Sequence, residues 1–369
     1  MCLEKMLNKL PYSELFIKGG LYSIISIFQF LIGFILLPII TIYLTPEDYG
    51  IVGLMAITAA FFLVFTKTPV AHGFVRYYYF DDLKTDRKIL LFNCTLFALT
   101  QSLFWGIIIS LFSSFFSSKL FNTSEYYYLF FYYAILISIQ PIEEISIDLI
   151  KIQKNAKLIF KIQILNIILS NALIVILLTI FKLGLLSLVI GSLFVSICNL
   201  SMTLPTLLKN ISLKINIRTL KPLLVYGIPL IPAILSQFLL RNIDLYIINS
   251  YLEIKQVGIY VFSLKFAMII ILFFSIPIRN IFDPIIYEKE SKERNHIEYL
   301  EKSTIFFYSL SIVFWSIISL FSKDVIELLA RNPEFWEAYH YIPILALGYA
   351  HFGLLDFLGK GIEDRKSVV

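Results

Sequence analysis

Long apolar stretches recur along the chain and constrain its fold more than any other feature. A spanning helix needs roughly 20 mostly apolar residues, because lipid offers no hydrogen-bond partner to an open backbone. Only 15% of the 369 residues are charged, whereas soluble domains carry about 25%. The sequence therefore predicts an all-α membrane protein with about ten transmembrane helices, at residues 16–44, 50–66, 89–112, 127–147, 162–181, 185–204, 223–250, 258–278, 303–320 and 341–358.

The basic residues are divided unequally between alternate loops. The N-terminal segment and the loops after the even-numbered spans hold 21 lysines and arginines, whereas the intervening loops hold five. Cytoplasmic loops of membrane proteins carry the excess of positive charge. We therefore expect a multi-pass protein of the cytoplasmic (inner) membrane with its N-terminus in the cytoplasm.

The two halves of the chain show a weak internal repeat. A shift of 208 residues superposes Gly50 on Gly258 and Pro69 on Pro277, among other identities. Six predicted spans separate the two copies, so both have the same orientation in the membrane. Parallel repeats of this kind build the two-lobed folds of many secondary transporters.

The repeat predicts the domain organisation. Residues 1–210 are expected to form a six-helix N-terminal lobe, and residues 211–363 an incomplete C-terminal lobe in which four helices are visible. Counterparts of the fifth and sixth spans are missing from the second copy, so we expect the C-terminus to be truncated. Residues 364–369 read like the translation of a common sequencing adapter, and we expect them to be a non-native tail.

Motifs that would indicate an enzyme are missing from the sequence. It contains no Gly-rich phosphate loop, HExxH, DxD or CxxC, and its four histidines are dispersed. No predicted outer loop much exceeds twenty residues, so a large outer catalytic loop is missing too. We expect a protein that is not an enzyme, holds no metal or organic cofactor and binds no nucleic acid.

Three charges lie deep within the predicted spans. Arg241 and Asp244 are three residues apart in the seventh span, which places them on one helix face. Lys265 lies in the eighth span. Charges at such depth cost several kcal/mol unless they face water or one another, so they are functional candidates. Pairing of Arg241 with Asp244 to lock the helices is the alternative, and Asp244 is also a candidate for binding a coupling ion.

Two further groups of charges lie near the inner ends of spans. Lys67 and Arg76 are candidates to line a cytoplasmic entrance, with snorkelling of their long side chains as the alternative. Glu143, Glu144 and Asp148 crowd the inner end of the fourth span beside lysines. There we expect solvated ion pairs rather than a coupling-ion site.

Four segments of the chain resemble the bacterial polysaccharide (Wzx-type) flippases. Lys151 stands where that family usually has arginine, and the resemblance extends over essentially the whole chain to Glu363. The segments are residues 36–51 (LLPIITIYLTPEDYGI), 151–157 (KIQKNAK), 242–265 (with NID, GIY and the final lysine) and 342–349 (IPILALGY).

This resemblance implies a fold of 12–14 helices in two lobes around a cationic cavity. It implies that the protein flips undecaprenyl-pyrophosphate-linked oligosaccharides for O-antigen, capsule or exopolysaccharide synthesis. Fixed positive charges can replace the hydration that a pyrophosphate loses in lipid; Arg241, Lys265, Lys67 and Arg76 are the candidates. Proton or sodium coupling is a further expectation, and a polysaccharide polymerase, a chain-length regulator and membrane lipids are the expected partners.

Other functions remain open at this point. The alternatives are a lipid II flippase, a multidrug exporter of the same superfamily, or a membrane oligosaccharide polymerase. An exporter of organic cations would be expected to have more buried acids than bases, but the spans hold two deep bases, Arg241 and Lys265, and one deep acid, Asp244. A polymerase would need a sizeable outer catalytic loop.

Overall fold

A computed structural model of the chain describes residues 13–79, 86–272 and 296–366. Within these ranges the chain is helical and contains no β-strand. Short 3-10 segments occur at Ile228–Leu230 and Pro333–His340. The α-helices are α1 (Ser13–Tyr43), α2 (Pro46–Tyr79), α3 (Arg87–Leu111), α4 (Ser113–Phe121), α5 (Tyr127–Ile152), α6 (Ala156–Thr179), α7 (Leu186–Lys209), α8 (Ile217–Gly227), α9 (Ile231–Tyr251), α10 (Ile254–Ala267), α11 (His296–Leu329) and α12 (Ile342–Lys366).

Several helical stretches are long and apolar enough to cross a membrane, which confirms the prediction of an all-α, multi-pass membrane protein. Shorter apolar helices occupy Ile27–Tyr43 and Ile342–Leu354. The number of crossings stays a prediction, and the end of the eighth predicted span lies outside the described residues. In the described ranges the six longer stretches are Pro46–Tyr79, Arg87–Leu111, Ala156–Thr179, Leu186–Lys209, Ile217–Tyr251 and Thr304–Leu329.

Helix α2 continues well beyond the second predicted span, which ends at residue 66. It begins at Pro46, whose missing N–H is no loss at the first helical position, and Glu47 and Asp48 lie in its first turn. Acidic groups there interact favourably with the helix dipole. The helix then passes through Lys67 and Pro69 to Tyr79, so these positions lie on a helix rather than in a loop.

The seventh predicted span consists of two helices joined by a 3-10 segment. Helix α8 ends at Gly227, residues Ile228–Leu230 follow as a 3-10 turn, and α9 begins at Ile231. Pro229 and Pro232 fall at this joint, where their missing N–H groups interrupt the α-helical hydrogen bonds. The α-helix of this span is therefore interrupted at its prolines.

Packing divides the chain into two compact units. The first comprises residues 47–258, and in it α5 packs against α3 and α7, while α7 also packs against α6. Close helix contacts in this unit depend on glycine: an added Cβ at Gly227 would overlap the carbonyl oxygen of Pro69, and one at Gly106 would lie 2.8 Å from Ser138 Oγ.

The second unit comprises residues 1–46 and 259–369. Its helices α11 and α12 pack together, and Phe262 of α10 contacts Phe335 with ring centroids 4.7 Å apart. The backbone N–H of Arg331 donates to Thr41 Oγ1 at 3.0 Å, which ties the end of α1 into this unit. The predicted lobe boundary at residue 210 stays a prediction.

Candidate functional site

Arg241 and Asp244 lie on α9, ten and seven residues before its end at Tyr251. At 1.5 Å per residue they are about 15 Å and about 10 Å from that end. Arg241 is exposed and Asp244 is half-buried, and Asp244 Oδ1 accepts a hydrogen bond from the backbone N–H of Leu245 at 2.9 Å. A guanidinium at this depth is costly in lipid unless it faces water or a charged partner.

Lys265 lies near the end of α10 and is half-buried. The helix directs Phe262 and Phe266 into the core of its unit, where both are almost fully buried. Phe266 packs edge-on against Phe34 with ring centroids 5.0 Å apart. With Phe262 and Phe266 packed inside, Lys265 lies at the margin of the packed core. Lys265 belongs to the unit of residues 1–46 and 259–369, whereas Arg241 belongs to the unit of residues 47–258.

Lys67 forms an ion pair that joins two helices. Its Nζ lies 2.6 Å from Glu144 Oε2, and the two side chains are 35% and 38% exposed. Lys67 is on α2 and Glu144 on α5. The charge of Lys67 is therefore compensated by a carboxylate in this structure.

Arg76 has a different neighbour from Lys67. Its guanidinium carbon lies 4.7 Å from the centroid of the Tyr226 ring, a cation–π arrangement. Nine residues of α2, about 14 Å at 1.5 Å per residue, separate the two basic residues. The structure thus brings Lys67 to Glu144 and Arg76 to Tyr226, and it does not bring Lys67 and Arg76 to each other.

The acidic residues of α5 differ in their surroundings more than the sequence indicated. Asp148 pairs with Lys151 at 2.8 Å near the helix end, and Glu144 pairs with Lys67, so ion pairing is confirmed for these two. It is wrong for Glu143, which is 8% exposed. Consecutive residues differ by about 100° around a helix, which allows Glu143 and Glu144 to point in different directions.

Glu143 belongs to a buried polar chain across three helices. Asn199 on α7 donates from Nδ2 to Glu143 Oε1 at 2.7 Å, and Asn166 on α6 donates from Nδ2 to Asn199 Oδ1. The two asparagines are only 2% and 4% exposed. Ser196, one turn before Asn199, lies beside the carboxyl.

Sequence reasoning missed this chain because it considered only charged residues within the spans. A usable signal existed, since Asn166 and Asn199 each lie within a predicted apolar span, 162–181 and 185–204. Polar residues at such positions are rare and are found facing the interior of the bundle. Among the described residues, no three His, Cys, Asp or Glu side chains come together as metal ligands.

Comparison with known proteins places the chain in a family. Residues 39–333 match the model of a family described as "Polysaccharide biosynthesis protein". No curated protein sequence matches the chain significantly.

A solved structure shows the same fold. The chain is similar to an inward-facing multidrug resistance MATE family transporter of the MOP superfamily, with 17% identity and a TM-score of 0.63, over 93% of this chain and 86% of that one. The chain therefore has the fold of a MOP superfamily transporter, and because the family model covers most of its length, it belongs to the polysaccharide biosynthesis protein family.

Proposed function

We propose that this protein is a membrane transporter that flips undecaprenyl-pyrophosphate-linked oligosaccharide units across the cytoplasmic membrane for surface polysaccharide synthesis. The family description supports a role in polysaccharide biosynthesis. The substrate assignment rests on the exposed position of Arg241, about 15 Å along an apolar helix. A pyrophosphate loses its hydration on leaving water, and charge-assisted hydrogen bonds from a guanidinium replace it.

Arg241 and Lys265 are the proposed substrate-binding cations. Arg241 lies well inside the apolar helix α9 and Lys265 lies near the end of α10, and neither is fully buried. Lys67 is a further candidate, and its ion pair with Glu144 would have to open for it to bind the substrate. Arg76, exposed beside Tyr226, is a candidate for the first contact with the anionic headgroup.

The proposed topology has ten visible spans, a cytoplasmic N-terminus and two copies of a parallel repeat. One contact supports the repeat: an added Cβ at Gly50 would lie 3.1 Å from the backbone nitrogen of Gly258. The 208-residue shift superposes these two glycines. Residues on a two-fold axis contact their own equivalents, so this contact fits an axis between α2 and the start of α10.

Neutralising the two proposed cations tests the function. In the bacterium that carries this gene, the chromosomal copy is replaced by Arg241→Gln, Lys265→Gln or the double variant. We expect loss of surface polysaccharide and accumulation of lipid-linked oligosaccharide, with unchanged protein abundance in the membrane. Lys265→Arg should retain part of the activity, because charge matters more than shape for a mobile diphosphate.

The matched control is Lys119→Gln, which removes one positive charge from an exposed position at the end of α4. It should leave polysaccharide display unchanged. Normal display in the Arg241→Gln/Lys265→Gln double variant would overturn the proposal. Normal display together with a changed resistance to organic cations would instead indicate a drug exporter.

A further inference from the structure

Helix α8 has one buried face. Thr219, Leu223 and Gly227 are buried, and because they recur every four residues they lie on the same side of the helix. This side packs against α3 and against α2, where an added Cβ at Gly73 would lie 3.0 Å from Leu223 Cα. The contacts fix α8 on the surface of its unit.

Another side of α8 forms an apolar groove at the joint with the 3-10 segment. The groove has a volume of about 410 Å³, and Ile217, Val225 and Ile228 in it are 75%, 65% and 51% exposed. Contiguous exposed apolar side chains mark contacts with lipid or protein. The apolar lining consists of Ile217, Leu220, Leu224, Val225, Ile228 and Pro229.

Positive charge is confined to the N-terminal half of α8. Lys221 lines the groove, and Arg218 lies three residues earlier, on a neighbouring turn. Both side chains are exposed. Leu224 and Ile228 follow Lys221 by three and seven residues, about 5 Å and about 11 Å further along the helix axis. The lining after Lys221 contains no charge, so a ligand of this groove needs an anionic end and an apolar end.

The segment just before α8 combines apolar and basic side chains in the same way. It is linked to α3 by Asn93, whose Nδ2 donates to the carbonyl oxygen of Lys214 at 3.1 Å and whose Oδ1 accepts from the backbone N–H of Asn216 at 3.0 Å. Leu213 and Ile215, on either side of Lys214 in sequence, are 80% and 72% exposed. Such segments lie at membrane interfaces, where apolar groups enter the acyl boundary and lysines reach the headgroups.

The bases of this region have no acidic partners. Residues 149–243 contain ten lysines and arginines and no aspartate or glutamate. Among the ion pairs of the described ranges, none includes Lys214, Arg218 or Lys221. The excess of positive charge assigns this region to the cytoplasmic side, where anionic lipid headgroups attract basic residues next to a span.

We propose that the groove of α8 binds one anionic phospholipid from the leaflet on the predicted cytoplasmic side. Arg218 and Lys221 hold its phosphate. One acyl chain lies along Leu224, Val225 and Ile228. The stretch that begins with α8 and continues through α9 is long and apolar enough to cross a membrane. The groove is thus at one end of a span, where a phospholipid places its headgroup beside its acyl chains. The proposal does not depend on the proposed flippase function.

Quenching of a tryptophan by brominated lipids tests the site. Val225→Trp places the reporter in the groove, and the full chain is reconstituted in phosphatidylcholine vesicles with increasing fractions of phosphatidylglycerol brominated on its acyl chains. The signal of the three native tryptophans is subtracted by measuring the chain without the reporter in parallel. We expect brominated phosphatidylglycerol to bind more tightly than brominated phosphatidylcholine, by about 5-fold for each of the two bases.

Charge-neutralising variants that carry the same reporter separate the groove from general surface charge. Lys221→Gln should lower the preference for phosphatidylglycerol by about 5-fold, and Arg218→Gln/Lys221→Gln should abolish it. The matched control is Lys209→Gln, which removes an exposed charge at the end of α7 on the same predicted side and should leave the preference unchanged. An unchanged elution volume shows that each variant is folded.

Three results would overturn the proposal. Equal loss of preference in Lys209→Gln and Lys221→Gln would show a general effect of surface charge. Absence of quenching by either lipid would show that protein covers the groove. Displacement of the brominated lipid by undecaprenyl phosphate more readily than by unlabelled phosphatidylglycerol would assign the groove to the polyprenyl lipid instead.

Discussion

The ammonium group of Lys67 lies 2.6 Å from Glu144 Oε2 and links α2 to α5. Both side chains are about one-third exposed, so the pair is partly screened. Exposed ion pairs contribute about 0.2–1 kcal/mol to the free energy of unfolding. Within a membrane protein, fewer water molecules are available to solvate the two charges when such a pair is broken. Removal of one partner leaves the other charge uncompensated, which makes the single variants informative.

We expect Lys67→Met and Glu144→Gln each to lower the thermal midpoint of the purified protein. The double variant should be less destabilised than the sum of the two, because residues in contact are not additive. A double-mutant cycle on midpoints measured in one detergent checks this. Strict additivity would show that the ion pair makes no contribution.

Gly227 is predicted to tolerate no side chain. A Cβ there would overlap the carbonyl oxygen of Pro69 on α2, and overpacking of this kind costs about 1–3 kcal/mol. Gly227→Ala should therefore lower the thermal midpoint clearly. Gly348→Ala on α12 is the control, since no atom lies within 4 Å of the added Cβ and alanine is favoured over glycine by about 0.5–1 kcal/mol inside a helix. Equal midpoints for the two variants would contradict this contact.

The topology is testable with single cysteines in a chain from which Cys2, Cys94 and Cys198 have been removed. Lys157→Cys should react with a membrane-impermeant maleimide only after the cells are opened, and Glu47→Cys should react in intact cells. Both positions are exposed. Lys157 is preferred to Lys154, whose φ of 58° disfavours most L-residues. Reversed labelling of the pair would overturn the positive-inside assignment.

Asp244 is expected to hold Arg241 in position rather than to bind the coupling ion. Asp244→Asn should then reduce polysaccharide display only partially. The double variant Arg241→Gln/Asp244→Asn should be no worse than Arg241→Gln, because effects within one network are not additive. Complete loss of display in Asp244→Asn, with unchanged protein abundance, would instead assign a coupling ion to Asp244.

The helices were largely predictable, because lipid requires each spanning backbone to satisfy its own hydrogen bonds. The position at which α2 ends was not predictable. Lys67 ends the apolar run that defined the second predicted span, yet the helix continues to Tyr79. Hydropathy measures only how apolar a segment is, so it does not detect the polar turns of a helix beyond the lipid. The same limitation left Pro69 at the apparent end of a span.

The buried polar chain of Glu143, Asn199 and Asn166 could not be predicted from charge alone. Glu143 and Glu144 are adjacent in sequence and chemically identical, but one meets Asn199 and the other meets Lys67. Which carboxylate is buried depends on how α5 is rotated against α7, and that rotation is decided by packing of the whole helix face. Sequence reasoning placed both acids near the C-terminal end of the fourth predicted span and could not separate them.

The hydrogen bond between Asn166 and Asn199 also bears on how the protein is made. An unpaired carboxamide in hydrocarbon costs roughly 2–7 kcal/mol, so neither α6 nor α7 is well suited to enter the bilayer by itself. A short connection, residues 180–185, joins them. Leaving the translocon together as a hairpin lets each asparagine satisfy the other before α5 contributes its carboxylate. Biogenesis of this protein therefore favours insertion of these two helices as a pair.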